Sequence, residues 1–182
     1  ATLTASRFPN AAFIADSAEL YGDIRIGKGA SDWPQVVMRA EAAHIEVGEF
    51  TNIQDFVMIH FGAATPSIIG AYCSITHHVT VHGAKVGDHC LIVINATLMD
   101  GAVIGDNSIV AGHSIVREGS IIPANSVVAG VPAKVVAQRN NGAANKLNAL
   151  AYYENGLAYA EGNERRWSEA EYRQRMAEYD AE

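Results

Sequence analysis

Three of the seven histidines, His60, His77 and His82, have a spacing that suggests a metal site. His60 and His82 each follow an aliphatic residue, Ile59 and Val81, in a repeated pattern. Neutral imidazole is a favourable zinc ligand, with Zn–N distances of about 2.0 to 2.1 Å. Three imidazoles leave one coordination position open, which is typical of a catalytic zinc site. The chemistry that these residues predict is therefore the activation of water by a metal ion at neutral pH.

A six-residue repeat organises the elements that must position these histidines. From residue 86 onward an aliphatic residue recurs at every sixth position, and a small residue follows four positions after each of the first seven. The aliphatic column is Val86, Ile92, Leu98, Ile104, Val110, Val116, Ile122 and Val128, and the small column is Cys90, Ala96, Ala102, Ser108, Ser114, Ser120 and Ser126. This period fits neither a helix nor simple strand alternation. It predicts short strands joined by tight corners, with three strands in each coil of a parallel β-helix.

The same register upstream predicts that His60 and His82 lie on one face of the β-helix. Three earlier runs share the spacing: Ile14, Leu20 and Ile26; Val47, Ile53 and Ile59; and Ile69, Ile75 and Val81. A four-residue insertion separates Ile59 from Ile69, so Ile59 and Val81 are three units, or one full coil, apart. The two histidines should then stack one strand spacing apart, about 4.8 Å.

His77 belongs to the unit of Ile75, on the preceding face. It cannot easily turn round the corner to reach His60 and His82 of its own chain. In a three-fold assembly, however, it can meet the same pair on a neighbour. The spacing therefore predicts a homotrimer with a metal ion at each subunit interface. His44, His89 and His113 are interpreted as surface or corner residues, and His78 is left out of the site because it alternates away from its neighbour His77.

Beyond about residue 143 the composition changes to Ala, Leu, Tyr, Glu and Arg without proline, and Leu147, Leu150 and Ala158 fall at helical spacings. We predict an all-β fold, a parallel β-helix over residues 1–134 that carries the metal site. Residues 135–182 form the predicted C-terminal α-helical extension, packed on the β-helix or on a neighbouring subunit.

Composition narrows the possible partners and location. The 182 residues carry a net charge of −7, which does not favour a nucleic-acid partner. No run of apolar residues approaches the roughly 18 that would suggest a membrane span. Residues 1–4 lack the basic and apolar regions of a signal peptide, and two cysteines do not make a disulfide framework. A cytoplasmic protein without a membrane partner is expected.

Residues from Gly22 to about Lys134 resemble the γ-class carbonic anhydrase family, including its ferripyochelin-binding-like and phenylacetate- or carnitine-associated relatives. Besides the three histidines, the resemblance rests on five motifs: Gly22-Asp23-Ile24-Arg25-Ile26-Gly27, Thr51-Asn52-Ile53-Gln54-Asp55, His82-Gly83, Met99-Asp100-Gly101-Ala102 and Gly130-Val131-Pro132-Ala133-Lys134. Hexapeptides alone also occur in many acyltransferases. The Asn-Ile-Gln-Asp run with three spaced histidines is more specific.

The resemblance implies a left-handed β-helix, a homotrimer, and a catalytic Zn²⁺ at each interface that hydrates CO2 to bicarbonate. His60, His77 and His82 match the metal ligands, with His77 from the opposite subunit. The residues implied to line or brace the site are Arg39, Gln54 and Asp55, with Glu41 beside Arg39 and Tyr159, or less favourably Tyr152, from the C-terminal helix. Imidazole sites also accept Fe²⁺, Co²⁺ or Ni²⁺.

This sequence departs from the family pattern at several positions. The usual Arg-Gly-Asp is Arg39-Ala40-Glu41, Thr76 replaces a common glycine, and the loop at 61–67 carries no proton-shuttle glutamate. The departures remove no ligand but affect the expected turnover. Two other functions stay open: a metal-dependent acyl-CoA thioesterase, and a metal-free hexapeptide acyltransferase in which one histidine is a general base.

Overall fold

A computed structural model describes residues 3–182. Residues 1 and 2, which belong to the predicted 1–134 segment and to the stretch inspected for a signal peptide, lie outside that range. Eighteen strands occur in residues 3–182: Phe13–Ile14 (β1), Glu19–Ile26 (β2), Ser31–Asp32 (β3), Val37–Val47 (β4), Asn52–Ile53 (β5), Met58–His60 (β6), Ser67–Ile69 (β7), Ser74–Ile75 (β8), Thr80–His82 (β9), Lys85–Val86 (β10), Leu91–Ile92 (β11), Thr97–Leu98 (β12), Val103–Ile104 (β13), Ile109–Val110 (β14), Ile115–Val116 (β15), Ile121–Ile122 (β16), Ser126–Gly130 (β17) and Ala133–Gln138 (β18). The helices are Leu3–Ser6 (α1), Gly142–Ala160 (α2) and Ala170–Ala181 (α3), with a 3₁₀ turn at Arg166–Ser168.

Strands β1 to β17 stack in parallel into three faces, which confirms the predicted left-handed β-helix. The first face runs β1, β3, β5, β8, β11, β14 and β17. The second face is formed by the first halves of β2 and β4 followed by β6, β9, β12 and β15, and the third by the second halves of β2 and β4 followed by β7, β10, β13 and β16. The long strands β2 and β4 therefore turn the corner between the second and third faces without a break.

The aliphatic column predicted from residue 86 forms part of the hydrophobic core inside the β-helix. All eight of its members are buried, as are nearly all of the small residues at the corners. Burying one such aliphatic side chain contributes about 1.5–3 kcal/mol. Since most strands have only two or three residues, the fold depends on the stacking of successive coils.

The corners use left-handed backbone at non-glycine residues. His78, His89 and His113 have φ values of 61°, 53° and 57°. His78 and His113 lie at the same corner as Asn95, between the first and second faces, and His89 lies at the same corner as Asn107, between the third and first faces. Asn and His are enriched in this conformation. The presence of histidine at these three positions is therefore explained by the backbone conformation of the corners.

An acidic residue interrupts the core column of the first face. Asp32 is in register between Ile14 and Ile53, in a position that elsewhere on this face holds an aliphatic residue. Its side chain is fully buried, and within residues 3–182 neither carboxylate oxygen has a hydrogen-bond partner. Burial raises the pKa of Asp32 to about 7.

The C-terminal segment packs on the flank of the β-helix. Strand β18 crosses the expected boundary at residue 134 and pairs antiparallel with β17, so the helical part begins at Gly142 rather than at residue 135. Helix α2 lies along the first face, where the Asn145 amide donates to the backbone oxygens of His89, at 2.9 Å, and Ser108, at 3.2 Å. None of the helices in the described range is long and apolar enough to cross a bilayer.

A buried carboxylate holds α3 to α2. Glu154 of α2 accepts a hydrogen bond from the Tyr179 hydroxyl at 2.6 Å, and Arg175 and Arg166 lie 3.4 and 3.7 Å from its oxygens. Glu154→Ala is expected to weaken the docking of α3 by about 0.5–1.5 kcal/mol, because the Tyr179 hydroxyl and the two guanidinium groups lose their shared acceptor. Hydrogen exchange over residues 170–181 should become faster. The exposed Glu164 provides the control, and equal exchange in Glu154→Ala and Glu164→Ala would refute this role.

Candidate metal centre

His60 and His82 stand side by side on the second face. They are register partners in adjacent strands β6 and β9, as the unit count predicted. His60 Nδ1 lies 3.3 Å from His82 Nε2, and the ring centroids are 5.2 Å apart. Two imidazole nitrogens at this separation can converge on one metal ion.

Arg39 and Glu41 accompany the histidine pair. Arg39 is the register partner of His60 on strand β4, so its Cα lies in the same row. Glu41 forms an ion pair with Arg39, and its other oxygen lies 3.1 Å from His60 Nε2. The longer side chain of Glu41 thus contacts a predicted ligand directly.

Asp100 contacts the second histidine of the pair. Its Oδ1 lies 2.5 Å from His82 Nδ1, and this hydrogen bond lowers the pKa of Asp100. A carboxylate on Nδ1 leaves Nε2 of the imidazole as the nitrogen that can bind a metal.

His77 lies in the corner between the first and second faces, after β8 and before β9. Its Nδ1 is 3.1 Å from Asp55 Oδ2, so His77 also has one nitrogen held by a carboxylate and one left for a ligand role. Within residues 3–182 of one chain, no cluster of three or more His, Cys, Asp or Glu side chains is arranged to hold a metal. The structure thus brings His60 and His82 together and leaves His77 apart.

Gln54 shares the corner of Asp55 and His77. It is buried, and its Nε2 donates to Asn52 Oδ1 at 2.9 Å. The Asn52 amide in turn donates to Ser74 Oγ at 2.9 Å. This chain fixes the orientation of the Gln54 amide.

The two C-terminal tyrosines lie in different surroundings. Tyr159 packs between Phe13 and Trp33, with ring centroids 5.6 and 4.9 Å away. Burial raises the pKa of Tyr152 to about 12, and the nearby charge of Asp55 adds to this effect. Tyr152 also packs edge-on against Trp33, with ring centroids 5.5 Å apart, and which of the two tyrosines approaches the metal stays a prediction.

The predicted residues separate into two groups within one chain. We call His60, His82, Arg39 and Glu41 the two-histidine half-site, and His77, Asp55 and Gln54 the one-histidine half-site. The donors fit a zinc ion, because His77 and His82 each present one free nitrogen after carboxylate contact.

Sequence reasoning did not assign a role to Asp100, Asn52 or Trp33. Asp100 and Asn52 lie within motifs that carried the family resemblance, but their partners come from neighbouring coils. Trp33 supports Tyr152 and Tyr159 by edge-on ring contacts. A signal for Asp100 exists in the repeat, since it lies two residues after Leu98, whose register partner Val81 directly precedes His82.

The stacked hexapeptide coils with histidines on one face define a hexapeptide-repeat protein with a candidate metal centre. A carbonic anhydrase of Geobacillus kaustophilus is 38% identical over 150 residues, which cover 81% of this chain and 82% of that protein. Mitochondrial γ carbonic anhydrase 2 of Arabidopsis thaliana is 38% identical over 94 residues, or 48% of this chain and 34% of that protein. Among solved structures, a hexapeptide transferase family protein of Anaplasma phagocytophilum has a TM-score of 0.73 at 33% identity, covering 84% of this chain and 89% of that one.

The chain therefore belongs to the γ-class carbonic anhydrase-like family of hexapeptide-repeat proteins. Its alignments with other curated relatives span 34% to 54% of their length. A scan against protein-family models finds no match.

Proposed function

We propose that this chain is a zinc-dependent carbonate dehydratase that interconverts CO2 and bicarbonate at the subunit interfaces of a homotrimer. The observation that carries the proposal is the 3.3 Å approach of His60 Nδ1 to His82 Nε2, while His77 lies apart from them in the corner between the first and second faces. In a closed three-fold ring, the two-histidine half-site of one subunit meets the one-histidine half-site of the next. The relation to the Geobacillus kaustophilus carbonic anhydrase supports the choice of reaction.

The chain's own residues orient the three ligands. Asp55 holds His77 by Nδ1, and Glu41 lies against His60. Zinc, if bound by the free ring nitrogens of the three histidines, would supply a hydroxide nucleophile near neutral pH. Iron, cobalt or nickel would fit the same donors, and elemental analysis of protein purified without added metal identifies the resident ion.

Gln54 is proposed to orient the reacting oxygen. One N–H of its Nε2 donates to Asn52, and its side-chain oxygen is left to accept a hydrogen bond from water or from the bicarbonate hydroxyl. Arg39 and Glu41 neutralise each other and are proposed to brace the two-histidine half-site. Tyr152 keeps its proton at neutral pH, since its pKa is raised to about 12, and is proposed as a hydrogen-bond donor.

A stopped-flow CO2 hydration assay tests the proposal. Zinc-loaded wild-type protein is expected to exceed His82→Ala by more than about 100-fold, because the loss of a ligand costs more than the loss of a residue that orients one. His89→Ala is the matched control, since His89 is a corner residue. Equal rates for wild type and His82→Ala would refute the proposed reaction.

A metal-free hexapeptide acyltransferase is the second candidate, favoured by the likeness to the Anaplasma phagocytophilum protein. Acyl transfer by protein that contains no metal would support it. Rapid hydrolysis of acyl-CoA esters only by metal-loaded protein would indicate a thioesterase. The cytoplasmic location and the lack of nucleic-acid or membrane partners stay predictions from composition.

A further inference from the structure

Asp100 lies at the corner after β12, the strand that stacks on β9, where His82 resides. Its Oδ1 lies 2.5 Å from His82 Nδ1. A carboxylate at this position is an acceptor only, so the His82 tautomer that it favours carries its proton on Nδ1. The lone pair is then on Nε2, the nitrogen that faces His60 at 3.3 Å.

The second oxygen of Asp100 binds the chain that leaves His60. Asp100 Oδ2 accepts the backbone N–H of Ala63 at 3.2 Å. A Cβ atom at Gly62 would lie 2.4 Å from the same oxygen, so the loop can approach this closely only with glycine. One carboxylate thus connects the imidazole of His82 to the loop that begins directly after His60.

We infer that Asp100 is a positioning residue for the two-histidine half-site. It orients His82 through Nδ1 and restrains the loop after His60, so that both rings are arranged before a metal arrives. This inference rests on the proposed function and extends it to a residue beyond the three ligands. Carboxylates that orient metal-binding histidines usually affect metal affinity by about 10- to 100-fold.

A purely structural role is the competing explanation, and Asp88 provides a matched control. Asp88 Oδ1 accepts the backbone N–H of Ala71 at 2.8 Å, and a Cβ at Gly70 would lie 2.3 Å from that oxygen. The geometry around Asp88 is therefore the same as around Asp100, without a histidine. If Asp100 had only a structural role at its corner, Asp88→Ala and Asp100→Ala should change the affinity for Zn²⁺ by the same factor.

The first measurement uses the metal-free protein. Long-range ¹H–¹⁵N NMR is expected to find neutral His82 of wild type and of Asp88→Ala protonated on Nδ1. In Asp100→Ala and Asp100→Asn, the Nε2-protonated form should appear. A wild-type tautomer in both Asp100 variants would overturn the inference, whether or not the protein binds metal.

The second measurement is the affinity for Zn²⁺ by competition with a chromophoric chelator. Asp100→Ala is expected to bind about 10- to 100-fold more weakly than wild type, while Asp88→Ala retains wild-type affinity. Asp100→Asn preserves the side-chain shape if the alanine variant does not fold. Equal losses for Asp88→Ala and Asp100→Ala would overturn the inference. Wild-type protein that binds no metal would instead overturn the proposed function, and would be recognised before any variant is compared.

Discussion

Mixed trimers of His77→Ala and His82→Ala chains are expected to hydrate CO2 although each variant alone is inactive. The reason is that the two substitutions damage different half-sites. The His77→Ala chain retains His60 and His82, and the His82→Ala chain retains His77. A closed three-fold ring that contains both chains has one complete interface in three, so about one-third of wild-type activity should return.

Co-expression with two affinity tags isolates the mixed trimers for a stopped-flow assay. The matched control combines His60→Ala with His82→Ala. Both residues belong to the two-histidine half-site, so no interface in that mixture is complete. Recovery in the control, or its absence from the His77→Ala and His82→Ala mixture, would refute the shared site.

Replacement of Asp32 by valine should stabilise the protein, with an effect that grows with pH. The carboxyl group is fully buried, without a hydrogen-bond partner in residues 3–182, and burial raises its pKa to about 7. The unfolded chain, in which the pKa is about 3.9, therefore binds fewer protons than the folded one between pH 4 and 7. Wild-type stability should fall across that window, by on the order of 4 kcal/mol in full.

Urea unfolding at pH 5 and pH 8 measures this effect. Asp32→Val is expected to exceed wild type in unfolding free energy by more at pH 8 than at pH 5. The exposed Asp16 gives the control Asp16→Val, which should change stability little at either pH. If Asp32→Val and wild type differed in unfolding free energy by the same amount at both pH values, the raised pKa of the buried Asp32 carboxyl would be contradicted.

The repeat made much of the fold predictable, because each unit of six residues specifies one strand and one corner locally. Counting units from Ile59 to Val81 was sufficient to pair His60 with His82. The same reliance on the repeat explains why Asp32 was not predicted as a core residue. The core column is recognised from its aliphatic residues, and a polar residue in that column breaks the pattern. Strand β18 lies after the last repeat, where no periodicity predicts its reversal.

The less predictable parts of the candidate site depend on contacts between different elements. The choice between Tyr152 and Tyr159 depends on how α2 is rotated on the first face, and its apolar residues do not specify that rotation strongly. The hydrogen-bond partners of Asp100 are distant in sequence: His82 precedes it by 18 residues and Ala63 by 37. Such contacts depend on side-chain direction, which residue spacing alone does not give.

Native mass spectrometry tests the central claim, a metal centre shared between subunits, most directly. Wild-type protein loaded with zinc is predicted to be a trimer with three bound ions. The His77→Ala and His82→Ala variants should each lose those ions. A wild-type monomer that retains one zinc ion, with binding that depends on all three of His60, His77 and His82, would contradict the account.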